Sequence, residues 1–260
     1  MSDQSVIELL REMKFSAMAS EFVNQLENPT SYANLSFEER LSLLVDAEWN
    51  RRRNNKLKRL IKKADFAAPG ASMEDIEYYE DRKLNKTELS MYASCDFIDA
   101  HHHIILEGAT GNGKTYIACA LGIAACRKFK KVRYIRMPEL LDELNVARNL
   151  DTFKKAIRTY KNVDLLILDE WLIRKLTQQE AYDILEIIEA RCESGSIIFC
   201  SQYEPKGWYE RINSDPDNDS PVSDAIMDRI IHNSYEVMIP GRISMRERHG
   251  LKASMEVHDD

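Results

Sequence analysis

The sequence predicts an α/β fold, a mainly parallel β-sheet covered by helices and preceded by a small all-helical domain. From residue 101 onward, short apolar segments alternate with segments of helical periodicity, as in strands joined by crossover helices. A glycine-rich loop at residues 108–115 follows the first of these strands. Up to about residue 65, apolar residues recur at helical spacing instead. These three observations define the predicted architecture.

The predicted organisation has three parts: a helical domain at 1–66, a connector at 67–90 and a nucleotide-binding domain at 91–260. Ala67-Ala68-Pro69-Gly70 breaks the helical pattern and begins the connector. Ser36 and Thr177 each open a capping box, which predicts that a helix starts there. The predicted strands are 103–107, 132–137, 165–169, 196–202 and 235–239.

Composition limits the classes of partner. The 36 basic and 43 acidic residues give a net charge of −7, so any contact with nucleic acid must come from a local patch. The five cysteines are odd in number and include no C-x-x-C pair, which favours reduced thiols. Neither a signal peptide nor a membrane-length apolar stretch is evident. We therefore expect a cytoplasmic protein without membrane association.

Residues 108–115 form a complete phosphate-binding loop, Gly108-Ala109-Thr110-Gly111-Asn112-Gly113-Lys114-Thr115. Glycines allow backbone N–H groups to wrap a polyphosphate, and the following helix adds positive potential at its N-terminus. Lys114 is predicted to reach the β- and γ-phosphates, and Thr115 to hold Mg²⁺. The loop therefore predicts binding of a nucleoside triphosphate, with ATP and Mg²⁺ as the expected ligands.

Polar residues end two of the predicted strands. Asp169 and Glu170 follow an apolar run, which brings two carboxylates to the carboxyl edge of a parallel sheet. Asp169 is predicted to hold the hydration shell of Mg²⁺, and Glu170 to polarise the attacking water. Ser201 or Gln202, at the end of the next strand, would orient that water or sense the γ-phosphate.

Two arginines near the C-terminus are candidates for contacting the γ-phosphate. Arg229 lies on a predicted amphipathic helix at 224–231 and could serve the site of a neighbouring subunit. The alternative is a surface ion pair with Asp228 or Asp224. Arg246 is the candidate for reporting nucleotide state within its own subunit, a role for which Arg242 and Arg248 compete.

The strongest positive patch in the chain is residues 51–63, which we term the basic segment. Eight cations stand there without an acid: Arg51, Arg52, Arg53, Lys56, Lys58, Arg59, Lys62 and Lys63. They would repel one another unless phosphates or acidic residues faced them, which favours contact with DNA. A solvated helix surface is the alternative.

Several segments together resemble the IstB family of AAA+ ATPases, helper proteins of insertion-sequence transposition and kin of DnaC-type helicase loaders. The segments are the phosphate loop, LLILDEW at 165–171, SIIFCSQ at 196–202, SDAIMDRIIHN at 223–233 and GRISMR at 241–246. The N-terminal residues 10–19 and 36–49 also resemble this family. The resemblance covers nearly the whole chain. The ordered combination of these segments is more specific for the family than the phosphate loop alone.

The resemblance implies an AAA+ core that forms a homo-oligomeric ring or spiral on duplex DNA and presents that DNA to a partner transposase. It further implies that Arg229 is the arginine finger, Arg246 is sensor 2 and either Ser201 or Gln202 is sensor 1. Trp171 is a departure, because relatives often have glycine soon after the acidic pair. A second candidate for facing DNA is the cationic stretch with Arg148, Lys154, Lys155, Arg158 and Lys161.

Two other functions remain open from the sequence. A helicase loader would share the ATP site but would grip a hexameric helicase with its N-terminal helices and favour single strands. A small-molecule kinase also uses a phosphate loop, but it needs neither a basic helical appendage nor an arginine from another subunit.

Overall fold

The computed structural model describes residues 3–213, 215, 218–241 and 243–250. Its contacts divide the chain into two compact units, Met1–Arg59 and Leu60–Asp260. The boundary falls inside one long helix, α3, which spans Phe37–Ala64. The division at residues 66 and 90 that the sequence predicts stays a prediction.

The first unit is helical. Helix α1 spans Asp3–Glu12, α2 spans Ser16–Glu27, and a 3₁₀ turn at Pro29–Tyr32 precedes α3. The predicted capping box begins α3: the Glu39 N–H donates to Ser36 Oγ at 3.2 Å, and the Ser36 N–H donates to the Glu39 carboxylate at 2.7 Å. Within residues 3–59 the buried side chains are Ile7, Ala19, Gln25 and Glu48. This unit therefore has a small core.

The second unit alternates strands and helices, as predicted. Its strands are β1 (His103–Glu107), β2 (Val132–Arg136), β3 (Leu165–Trp171), β4 (Ser196–Ser201) and β5 (Ser234–Met238). Its helices are α4 (Lys86–Ala93), α5 (Asp96–Asp99), α6 (Lys114–Arg127), α7 (Met137–Asn149), α8 (Phe153–Lys161), α9 (Gln178–Arg191), α10 (Tyr209–Ile212), α11 (Pro221–Ile231) and α12 (Met245–Arg248). Further 3₁₀ turns lie at Glu80–Arg82 and Pro205–Gly207. None of the helices in the described part of the chain has the length and apolar character to cross a membrane.

The five strands form one parallel sheet in the order β2-β3-β4-β1-β5. Each strand ends within two residues of its predicted position, and the predicted capping box of Thr177 begins α9. Because the strands are parallel, their carboxyl ends share one edge. The strand order places the segments that follow β3, β4 and β1 side by side at that edge. The predicted parallel α/β fold is confirmed.

Strand β3 continues through Trp171, two residues beyond its predicted end. The Trp171 side chain is fully buried, and its ring centroid lies 4.7 Å from that of Phe199 and 5.7 Å from that of Trp208. Glu170 and Leu172, on either side of it, both have φ of +54°. Two non-glycine residues in left-handed backbone thus flank this buried tryptophan.

Candidate nucleotide-binding site

The phosphate loop joins β1 to α6 in a conformation that depends on glycine. Gly108, Gly111 and Gly113 have φ of +148°, +87° and +85°. A Cβ on Gly108 would lie 2.3 Å from the carbonyl oxygen of Ile239, so a larger residue would clash there. Asn112 Nδ2 donates to the same carbonyl oxygen at 2.9 Å. Gly108 and Asn112 therefore fix the shape of the loop against the segment that follows β5.

A cavity of about 300 Å³, which we term the phosphate cavity, lies beside this loop. It is lined by Ala68, Thr110, Gly111, Gly113, Lys114, Thr115, Tyr116, Asp169, Glu170, Cys200, Gln202, Met245 and Arg246. The structure thus brings together nine of the residues that the sequence predicts for nucleotide, metal and catalysis. Among the described residues, Gly108, Ala109, Asn112, Ser201 and Arg229 were also predicted but do not line it.

Lys114 is buried, and its ammonium donates to the carbonyl oxygens of Gly108 and Ala109 at 2.7 and 2.8 Å. Burial lowers the pKa of Lys114, because desolvation disfavours the charged form. A polyphosphate would offer anionic oxygens to the same ammonium, and charge-assisted hydrogen bonds are the stronger ones. The lysine is therefore placed where the motif requires it.

Thr115 and Asp169 meet at the base of the phosphate cavity. Thr115 Oγ1 donates to Asp169 Oδ2 at 2.7 Å, and the hydroxyl of Tyr134 donates to the same oxygen at 2.8 Å. Burial and the nearby Asp169 raise the pKa of Tyr134, so this hydroxyl stays protonated. A hydroxyl and a carboxylate are hard oxygen ligands of the kind that Mg²⁺ selects. This donor set fits the predicted metal site, and the sequence analysis missed Tyr134.

Glu170 is bound by an arginine that the motifs did not identify. Arg136, the last residue of β2, donates through Nη2 to both Glu170 carboxylate oxygens at 2.9 and 2.7 Å. Hydrogen bonding to Glu170 raises the pKa of Arg136. In the sheet Arg136 is the register partner of Asp169, so the contact follows from strand pairing.

The two candidates for sensor 1 occupy different environments. Ser201 is buried, and its hydroxyl donates to the carbonyl oxygen of Trp171 at 3.2 Å and accepts from the Tyr203 N–H at 3.1 Å. Gln202 lines the phosphate cavity, as does Arg246. The geometry therefore favours Gln202 over Ser201 for contacting a nucleotide, and it gives Arg246 access from the same chain. Arg242 lies outside the described residues.

Arg229 points to a different part of the molecule. Its Nη2 donates to Glu189 on α9 at 2.9 Å, and its Nη1 donates to the Ala225 carbonyl oxygen at 2.9 Å. The partially exposed ion pair involves Glu189 rather than Asp224 or Asp228. Arg229 thus does not line the phosphate cavity of its own chain.

A second cavity, of about 280 Å³, adjoins the first, and we term it the nucleoside cavity. The two cavities share Gly113, Tyr116 and Met245. The second is also lined by Asp75, Ile76, Glu77, Arg82, Ile117 and His249. Its combination of apolar walls and a few polar groups is typical of small-molecule sites. The sequence analysis did not identify these residues as a site, because they come from three separate segments.

The basic segment lies entirely on α3, and seven of its eight cations are exposed. Arg51 is half-buried and, like Arg52, pairs with Glu48, with nitrogen–oxygen distances of 2.5 and 2.8 Å. Glu48 is buried and also accepts from the Ala17 N–H at 3.0 Å. One acid outside the segment therefore offsets part of the repulsion that its cations would otherwise experience.

The fold and the phosphate cavity define a P-loop nucleotide-binding protein with an AAA+ core. A family model described as IstB-like ATP binding protein matches residues 8–253, and the chain belongs to this family. The predicted resemblance is confirmed.

Relatives match over most of their length. An insertion sequence ATP-binding protein of Sinorhizobium fredii is 34% identical over 242 residues, which cover 93% of this chain and 96% of that protein. The ATP-binding protein of insertion sequence IS1162 from Pseudomonas fluorescens is 37% identical over 202 residues, covering 78% and 87%.

Solved structures share the fold. AMPPCP-bound DnaA from Aquifex aeolicus superimposes with a TM-score of 0.56 at 21% identity, covering 67% of this chain and 51% of that one. The DnaC helicase loader gives a TM-score of 0.55 at 15% identity, covering 65% and 96%. At these identities the similarity concerns the AAA+ fold alone.

Proposed function

We propose that this protein is an ATPase that assembles on duplex DNA and assists a partner transposase in DNA transposition. The observation that carries the proposal is the family match over residues 8–253, since the relatives described above are named as insertion sequence ATP-binding proteins. A complete phosphate cavity supports the ATPase part. The proposal includes a cytoplasmic site of action.

In this proposal ATP binds with its triphosphate in the phosphate cavity and its adenine in the nucleoside cavity. Lys114 and the loop N–H groups bind the phosphates, and Thr115 and Asp169 hold Mg²⁺. When bound, that metal would supply positive charge that offsets the charge of the phosphate oxygens. Glu170 polarises the attacking water, while Gln202 and Arg246 contact the γ-phosphate.

Arg229 acts across a subunit boundary in this proposal. Its position on α11, away from the phosphate cavity of its own chain, supports such a role. An arginine supplied by a neighbouring subunit stabilises the charge that develops on the transferred phosphoryl group. Activity therefore requires a homo-oligomer, a ring or a spiral in which each subunit completes the site of the next.

The basic segment is the proposed contact with duplex DNA. Its exposed cations lie within a chain of net charge −7, so local rather than global charge supports the contact. The exposed residues Lys154, Lys155 and Arg158 of α8 form the second candidate surface.

The experiment compares ATP hydrolysis alone, with duplex DNA, with single-stranded DNA, and with duplex DNA plus a candidate partner transposase. We expect duplex DNA to stimulate hydrolysis and the transposase to bind the ATP-loaded complex. Stimulation by single strands alone, with binding to a replicative helicase, would establish a helicase loader instead. Phosphorylation of a small molecule without any effect of DNA would establish a kinase.

A further inference from the structure

Helix α12, a single turn near the C-terminus, packs against the phosphate loop. The Met245 N–H donates to the carbonyl oxygen of Gly111 at 2.8 Å. A Cβ on Gly111 would lie 2.7 Å from the Cβ of Ser244, the residue that caps α12. An isolated turn of helix is not stable in water, because nucleation of a helix is unfavourable. The position of α12 therefore depends on its contacts with neighbouring segments.

A second contact holds the other end of α12. Its last residue, Arg248, donates through Nη2 to both carboxylate oxygens of Asp81, each at 2.6 Å. The guanidinium carbon of Arg248 also lies 4.2 Å from the ring centroid of Tyr79. The side chains of Arg248 and Asp81 are only 17% and 24% exposed. Solvent and salt therefore screen this ion pair less than they screen an exposed one.

The turn that carries Asp81 is itself attached to the phosphate loop. The next residue, Arg82, is buried, and its guanidinium donates to the carbonyl oxygen of Asn112 at 2.8 Å and to that of Glu77 at 2.6 Å. Asp81 therefore offers Arg248 a partner whose place relative to the phosphate loop is fixed.

We propose that Asp81 and Arg248, which we term the latch, position Arg246 against the γ-phosphate of bound ATP. Arg246 is exposed, lines the phosphate cavity and stands on α12 between the two contacts that hold this helix. Neither latch residue is among the described residues that line the cavity, so both act through Arg246. The inference rests on the ATP hydrolysis proposed above.

Loss of the latch displaces Arg246 without removing it. A displacement of about 1 Å at a group that contacts the reacting atoms lowers the rate by roughly 10²-fold. ADP lacks the γ-phosphate, so its affinity should not depend on where Arg246 lies. The latch should therefore affect hydrolysis of ATP and leave binding of ADP intact.

The experiment measures steady-state ATP hydrolysis with duplex DNA, and ADP affinity by calorimetry, for Asp81→Asn. This change removes the charge of the carboxylate and keeps its shape. We expect kcat to fall by about 10- to 100-fold and ADP affinity to stay at the wild-type value. Arg248→Gln should give the same result, and it decides the question if Asp81→Asn does not fold. The matched control is Asp99→Asn, which breaks an ion pair with Lys130 ahead of β1 and should change neither quantity.

A double-mutant cycle with Arg246→Ala tests whether the latch acts through Arg246. Arg246→Ala should lower kcat at least as much as Asp81→Asn does. In the Arg246→Ala background, Asp81→Asn should cause no further loss. A merely structural contact would lower kcat by the same factor in both backgrounds.

Three outcomes overturn the inference and leave the proposed function standing, because the wild-type protein hydrolyses ATP in each. They are a loss of kcat in Asp81→Asn that is undiminished when Arg246 is absent, normal hydrolysis by both latch variants, and normal hydrolysis by Arg246→Ala. A wild-type protein that hydrolyses no ATP with duplex DNA overturns both the latch and the proposed function.

Discussion

The phosphate cavity and the basic segment are positioned in different ways. In the cavity, glycines of positive φ and the aligned ends of parallel strands fix the backbone, and side chains such as Lys114 and Asp169 hold specific hydrogen bonds. On α3 most cations extend from one helix into solvent. Substitutions in the cavity should therefore have separate effects on separate steps, whereas substitutions on the basic segment should have graded and similar effects.

The largest expected effects distinguish the roles of Lys114 and Glu170 in the phosphate cavity. Lys114→Ala should abolish nucleotide binding, because it removes the charge that pairs with the phosphates. Glu170→Gln should keep binding and lower turnover by roughly 10²- to 10⁴-fold, because it removes only the activation of water. Calorimetry measures the first and steady-state hydrolysis the second. Glu210→Gln, an exposed change on α10, is the control, and normal hydrolysis by Glu170→Gln would contradict the assignment.

A mixing experiment tests whether the cavity is completed by a second subunit. Arg229→Ala and Lys114→Ala should each be inactive, and ATPase activity of the wild-type protein should rise steeply with protein concentration. An equal mixture should recover up to about a quarter of the wild-type rate, since roughly one interface in four would pair an intact loop with an intact arginine. A mixture that stays inactive while subunits exchange would place Arg229 outside the reaction.

The salt dependence of DNA affinity tests whether the basic segment contacts DNA. Lys58→Gln with Arg59→Gln should weaken binding to every DNA sequence alike and flatten the slope of log affinity against log salt by about 0.9 per lost phosphate contact. DNA-free ATPase activity should be unchanged. The matched control is Lys154→Gln with Lys155→Gln on α8. If only the α8 double substitution changes the slope, the DNA-binding surface lies on α8 and not on the basic segment.

The smallest expected effect concerns the ion pairs that Glu48 forms with Arg51 and Arg52 of the basic segment. Hydrogen bonds from Arg51 are the main cause that lowers the pKa of Glu48 from 4.5 to about 2. A depressed pKa means that the carboxylate stabilises the folded state above pH 4.5, and that this contribution is lost as the pH falls towards 2. Glu48→Gln should lower the free energy of unfolding by about 1–2 kcal/mol at neutral pH.

Thermal melts of the wild-type protein and Glu48→Gln between pH 2 and 6 measure this contribution. The difference in melting temperature should shrink as the pH falls through that window. A constant difference would mean that the carboxylate does not stabilise this helix through its charge.

The sequence predicted those features that depend on a local pattern. The phosphate loop, the two acids near the carboxyl end of β3 and both capping boxes are each encoded within a few consecutive residues, and the structure forms each of them. The sequence predicted that either Ser201 or Gln202 is sensor 1 and could not distinguish them. The distinction depends on which of the two side chains enters the core. Strand register decides it, and register is a long-range property.

The features that the sequence did not reveal all depend on contacts between distant segments. Arg136 contacts Glu170 because β2 and β3 pair in one particular register. Tyr134 reaches Asp169 for the same reason. Arg82 reaches the phosphate loop from a turn that carries no recognisable motif.

The aromatic cluster formed by Trp171, Phe199 and Trp208 gives the protein an intrinsic optical probe. The chain has three tryptophans: Trp171 and Trp208 are fully buried, whereas Trp49 is 59% exposed in the N-terminal unit. Replacing Trp49 by phenylalanine would leave tryptophan fluorescence only from the two indoles of the cluster. Because Trp171 directly follows Glu170 in the chain, emission from that variant would report movement of the backbone at Glu170 without an added label.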